Sequence, residues 1–99
     1  MTQRTMQTKN VNEGVGGARI RVDRYELFRD AILDAVPQDA RGMTLKELGS
    51  ALAKALAHVP LDAKGSVTWY MMTVKLDLEA RGLLERVSGA RPQRVRRIR

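Results

Sequence analysis

The stretch Ser66–Leu84, SVTWYMMTVKLDLEARGLL, constrains the fold more than any other part of the chain. Val67, Met71, Val74 and Leu78 recur at i, i+4, i+7 and i+11, which sets them on one stripe of an α-helix. Gly82 stops that helix where a left-handed residue costs least, and Leu83 and Leu84 lead away from it. Any fold for this chain must bury one side of a helix over 66–81 and turn at once into extended chain.

Two earlier helices follow the same grammar. Tyr25, Phe28, Ile32, Ala35 and Val36 predict a helix over 24–36, with Arg24, Asp30 and Asp34 on its wet side. Asp23 is the expected N-cap, Glu26 completes a capping box, Val22 and Leu27 can staple the start, and Pro37 ends the helix. Thr44 and Glu47 form a second box ahead of a helix over 45–58. Leu45, Leu48, Leu52, Ala55 and Leu56 line its apolar face, and Lys46 and Lys54 lie opposite. Pro60 closes that segment, and Leu61–Gly65 turns into the third helix.

After Gly82 the pattern becomes extended. Leu83–Val87 and Gln93–Ile98 read as a hairpin around the turn residues Ser88–Pro92, with room for a short strand near Gly42–Met43. Val95 and Ile98 are three apart, so a bulge or frayed end is expected on the return strand. Residues 1–19 are polar and lack apolar periodicity, which reads as a flexible arm ahead of a domain over 20–99, from which Arg4, Lys9 and Arg19 could touch phosphates. Gly14, Gly16 and Gly17 do not have the spacing or context of a phosphate-binding loop and read as linker.

Charge is placed unevenly. The chain carries a net +7; residues 1–64 hold ten Lys/Arg against eight Asp/Glu, and residues 65–99 hold eight against three. A basic cluster at one end suits a polyanionic partner, although it also serves as a solubilising tail. With no cysteine, disulfides and thiolate chemistry are excluded, and no apolar run is long enough to span a bilayer. The expected setting is soluble and cytoplasmic. His58, the single histidine, sits at a helix end, where it can bond orphan carbonyls or oppose the dipole. No catalytic constellation or metal-ligand cluster can be built, so no enzyme activity, metal or cofactor is expected.

Three helices followed by an arginine-edged hairpin resemble the winged helix-turn-helix domain. The junction Leu78-Glu79-Ala80-Arg81-Gly82-Leu83-Leu84 is similar to the link between recognition helix and wing. The pattern from Trp69 through Thr73-Val74-Lys75-Leu76-Asp77-Leu78-Glu79 also resembles a small, uncharacterised bacterial winged-helix family, which carries a fold but no function. The resemblance implies a mostly helical α+β fold: three helices and a C-terminal two-stranded wing. It further implies binding to double-stranded DNA, as in a small transcriptional regulator. The third helix would enter the major groove, with Lys64, Ser66, Thr68 and Lys75 as readers. Arg91, Arg94, Arg96 and Arg97 of the wing would grip phosphates, a task suited to a permanent charge on a planar fork.

A second stripe complicates that picture. Trp69, Met72 and Leu76 lie almost opposite the core stripe, where a recognition helix should be polar, and Asp77 and Glu79 add negative charge to its flanks. The stripe can be covered by the wing and the segment around Ile20, which is the preferred reading. It can instead form a homodimer interface or dock another protein. The alternative function is therefore an interaction or dimerisation module using this face. RNA binding has less support, because no aromatic residue interleaves with the terminal arginines to stack bases.

Overall fold

A computed structural model describes residues 4–12, 16–60 and 67–98. The order of elements is β1 (Thr5–Lys9), β2 (Gly16–Arg21), α1 (Val22–Ala35), β3 (Met43–Thr44), α2 (Leu45–Ala55), α3 (Val67–Ala80), β4 (Leu84–Arg86) and β5 (Arg94–Arg97). It is an α+β fold of three helices and two small antiparallel sheets, one of order β1-β2 and the other β3-β5-β4. Phe28 and Ile32 of α1, Leu48 and Leu52 of α2, and Val74 and Leu78 of α3 meet in a core with no solvent exposure. Leu84 and Val95 close it from the second sheet.

The helix ends are written locally, with one exception. Thr44 and Glu47 form the reciprocal box, Glu47 N–H donating to Thr44 Oγ1 at 3.1 Å and Thr44 N–H to Glu47 Oε1 at 3.0 Å. The Thr44 N–H, followed by the Thr44 hydroxyl, donates to the Glu47 carboxylate and holds it below its ordinary pKa. At the end of α3, Gly82 takes φ +78°; its N–H donates to Glu79 O at 3.2 Å and Leu83 N–H to Leu78 O at 2.9 Å. That pair of bonds is a Schellman cap, which a left-handed glycine makes cheap. α2 stops at Ala55 rather than 58, and Leu56–His58 form a turn that leaves His58 exposed. Pro60 lacks an N–H and disfavours helical geometry just before it, so the last turn cannot propagate.

The exception is α1. Its N-cap is Arg21, with no side-chain cap, because β2 runs straight into the helix and Val22 N–H already donates to Arg4 O at 2.9 Å. Asp23 falls one position inside, where Oδ1 accepts from Arg24 N–H at 2.8 Å and from Arg21 Nε at 3.0 Å. The Arg21 hydrogen bond holds the Asp23 carboxyl below its ordinary pKa. The expected Asp23–Glu26 box is thus replaced by a strand-to-helix junction.

In the C-terminal sheet β5 is central. Leu84 pairs with Arg97, Glu85 with Arg96 and Arg86 with Val95 on one side; Met43 pairs with Val95 and Thr44 with Arg94 on the other. Gly42, at φ +69°, is needed there: a Cβ would fall 2.4 Å from Val95 O.

The largest departure from expectation is at the N-terminus, where residues 5–9 and 16–21 form a hairpin instead of a flexible arm. Thr5 pairs with Arg21, Met6 with Ile20 and Gln7 with Arg19, before a bulge brings Lys9 opposite Gly16. Met6, Thr8, Ala18 and Ile20 form the inner face of the hairpin, with Thr8 and Ile20 buried. A buried threonine is tolerated because its hydroxyl donates to Ala18 O. Gly17 lets the strands close, since a Cβ would lie 2.8 Å from Thr8 Oγ1 and 3.3 Å from Lys9 O.

Candidate nucleic-acid interface

Three surfaces bear on the expected DNA contacts: the outer face of α3, the C-terminal hairpin and the N-terminal hairpin. Lys64 and Ser66 lie outside the described residues. Thr68, in the first turn of α3, is exposed.

Lys75 is not a surface reader. Its side chain is 1% exposed, and Nζ sits 2.9 Å from Oε1 of Glu79 one turn later. Glu79 also takes Arg86 of β4 at 3.0 Å, and the Gln93 carboxamide, turned oxygen-inward, accepts from Lys75 Nζ at 3.0 Å. An unpaired ammonium could not remain there; a paired one can, because its neighbours replace the lost water. This cluster joins α3 to the C-terminal hairpin, so Lys75 and Glu79 serve packing rather than phosphate contact.

Asp77 is likewise buried, with 0% exposure. Its Oδ1 accepts from Lys9 N–H at 2.8 Å, and its Oδ2 from Arg81 Nε at 2.8 Å and from the Tyr25 hydroxyl. One carboxylate thus ties β1, α1 and α3 together. Burial, followed by the bond to Asp77, pushes the Tyr25 phenol up to about 12. The same carboxylate raises the Arg81 pKa above its ordinary value through their hydrogen bond.

The second stripe of α3 divides in two. Leu76, with Thr73, lines a crevice of about 50 Å³ against Thr8, Lys9, Gly17 and Ala18, so the N-terminal hairpin supplies the intramolecular cover there. Met72 is half-buried. Trp69 remains 45% exposed, its ring edge-on to Tyr70 at 5.1 Å.

The wing arginines also separate. Arg91 is exposed in the turn between β4 and β5. Arg94 is half-buried, with Nη1 3.9 Å from Glu47 Oε1. Arg96 forms an ion pair with Glu85 across the strands and donates to Gln38 O at 3.0 Å. Arg97 is half-buried, and its backbone N–H donates to Pro37 O at 2.8 Å. Arg94 and Arg96 do share a face, with buried Val95 on the other, as alternation requires. Half the expected clamp is therefore spent on internal contacts.

On the N-terminal hairpin Thr5, Gln7, Lys9 and Arg19 are exposed, and no carboxylate occurs in residues 4–12 or 16–21. Sequence reading places Arg4, Lys9 and Arg19 on a flexible arm and misses the paired sheet that carries Lys9 and Arg19. Its only signal is a period-2 alternation over Thr5–Lys9 and Gly17–Arg21, weak because Thr8 replaces an apolar residue. No group of acidic residues or histidine suited to a metal occurs among the described residues. None of the described helices is long and apolar enough to cross a membrane.

The molecule is thus a small α+β protein whose three helices carry a hairpin at each end of the chain. It belongs to a family of unknown function, DUF6958, which it matches over residues 5–95. The match begins at the first residue of β1 and ends at Val95, within β5, so it takes in the N-terminal strands and all but the last two residues of the C-terminal hairpin. No curated protein and no solved structure matches the chain.

Proposed function

We propose that this protein is a winged-helix protein that binds double-stranded DNA in the cytoplasm, as a small transcriptional regulator. The observation that carries the reading is the connectivity. A short strand precedes the second helix, two strands follow the third, and the last strand lies between the other two. That is the order a winged helix-turn-helix domain would have. A net charge of +7 supports a phosphate-bearing partner. With Lys75 buried and Arg96 held by Glu85, the phosphate grip falls to exposed Arg91 and to Arg94, whose 3.9 Å contact with Glu47 is the longest of the wing's ion pairs. Permanent guanidinium charges suit that task.

The test is fluorescence anisotropy with mixed-sequence duplex across salt. Log K is expected to fall steeply against log salt, and Arg91→Ala/Arg94→Ala to shallow the slope by about two units. No binding by the folded wild type at low salt overturns the proposal.

A second reading has its own observation: the exposed Trp69 beside half-buried Met72 on the outer face of α3. An aromatic anchor there suits a homodimer or protein contact. It predicts a mass that rises with concentration and loses that rise in Trp69→Ala. A wild type that stays monomeric at high concentration removes the homodimer.

A further inference from the structure

We infer that the N-terminal β1–β2 hairpin is the element that enters the DNA major groove and reads bases. The inference rests on the DNA-binding reading above and moves base recognition away from α3.

The first argument is occupancy. A recognition helix must offer its outer face to the groove. Here Thr73 and Leu76, in the middle of that face, lie against Thr8, Gly17 and Ala18 of the hairpin. The Lys9 backbone is fastened to Asp77 at 2.8 Å. DNA approaching α3 from this side meets the hairpin first.

The second argument is chemistry. The register sets Thr5 opposite Arg21 and Gln7 opposite Arg19, so these residues share the solvent face of one pleat. Thr5, Gln7, Lys9 and Arg19 are all exposed. Glutamine can bond adenine at N6 and N7, arginine and lysine can bond guanine at O6 and N7, and threonine can meet a thymine methyl. Residues 4–21 of the sequence carry four cations, Arg4, Lys9, Arg19 and Arg21, against one carboxylate, Glu13, which lies between the strands and outside the described residues. Among the described residues, only Arg21 of the four has an acid partner, Asp23. A polyanion is therefore the complementary occupant.

The third argument is shape and stiffness. Two strands about 5 Å apart make a ribbon narrow enough for a groove about 12 Å wide. The ribbon is held from behind by Thr8, Ile20 and Asp77, so ordering it costs little on binding. Arg19 Nε donates to Thr5 Oγ1 at 2.9 Å, which engages one of its five N–H donors and orients the rest of the fork. Gln7 Nε2 rests on Gly17 O. It also donates to Thr8 O at 3.3 Å, and docking exchanges these bonds for a base edge.

The experiment has two arms. Amide chemical shifts of the wild-type chain are mapped during titration with mixed-sequence duplex. Shifts across Thr5–Lys9 and Arg19–Arg21 are expected, together with Arg91–Arg94. Shifts confined to the C-terminal hairpin or to the first turn of α3 overturn the inference while leaving DNA binding in place. No binding overturns both. In the second arm, duplexes selected from a random pool by the wild type are tested against Gln7→Ala/Arg19→Ala, with an unchanged dichroism spectrum required. The variant is expected to lose about 5- to 100-fold in preference for selected over scrambled duplex. Its salt slope should shallow by only about one unit. Discrimination equal to the wild type's, the absence of any selected sequence, or tighter binding to single-stranded RNA each count against a base-reading ribbon.

Discussion

The two hairpins are built from similar material and put it to different use. The C-terminal pair holds Arg86 and Arg96 in close ion pairs with Glu79, at 3.0 Å, and Glu85. It holds Arg94 in a longer one with Glu47 at 3.9 Å and leaves Arg91 exposed in its turn. The N-terminal pair holds Lys9 and Arg19 with no acid partner among the described residues, and is anchored by its backbone on Asp77. Counting arginines along the chain favours the C-terminal segment as the polyanion site. Neighbours in space redistribute that weight, because a cation beside a carboxylate presents little net field to a phosphate.

The sharpest way to break the comparison is at Asp77. Asp77→Ala would leave the Tyr25 hydroxyl, the Lys9 N–H and the Arg81 guanidinium without this acceptor. The expected loss is roughly 2–4 kcal/mol in urea unfolding. Hydrogen exchange should rise first over Thr5–Lys9 and leave Leu84–Arg86 protected. Equal loss of protection in both hairpins would mean that Asp77 serves the whole core rather than one attachment.

Alkali acts on the same network from the Tyr25 side. The phenol titrates at an ordinary 10.0 when unfolded and at about 12 when folded, so between those values the unfolded chain holds fewer protons. Stability contributed by the neutral phenol is therefore complete below pH 10 and lost as pH rises through 12. Wild type should fall relative to Tyr25→Phe over that window, with a slope of up to about one proton. Parallel pH curves for the two proteins would exclude the coupling.

The smallest effect belongs to the C-terminal pairs. Arg96→Ala removes a half-exposed ion pair with Glu85 and is expected to cost less than about 1 kcal/mol. Thermal unfolding of that variant within a few degrees of wild type would agree; a large drop would place the wing arginine in a structural role.

Much of the helical frame is legible in the residues. The Thr44–Glu47 box and the Gly82 cap are local bonds within a few positions, and local spacing is what a sequence displays directly. The i, i+4, i+7 stripe of α3 is buried where it was expected, through Met71, Val74 and Leu78. Asp23 misleads because Arg21, fixed by pairing with Thr5, caps the helix two residues early. Lys75 misleads because a lysine on a helix flank is ordinarily solvated. Its burial depends on Glu79 one turn on, itself shared with Arg86, and on Gln93 from the approach to β5.

By itself, then, the sequence determined that three helices form, where the second begins and the third stops, which stripe each buries, and that a glycine turns the third into a strand. These follow from interactions that span one or two helical turns. The tertiary structure alone decided that a Thr- and Gln-rich N-terminus becomes a ribbon laid on α3, which takes a hydrogen bond between residues 9 and 77. It also decided which cations face solvent and which face carboxylates. Burial and ion pairing depend on distances between segments far apart in the chain, and those distances exist only once the core has closed.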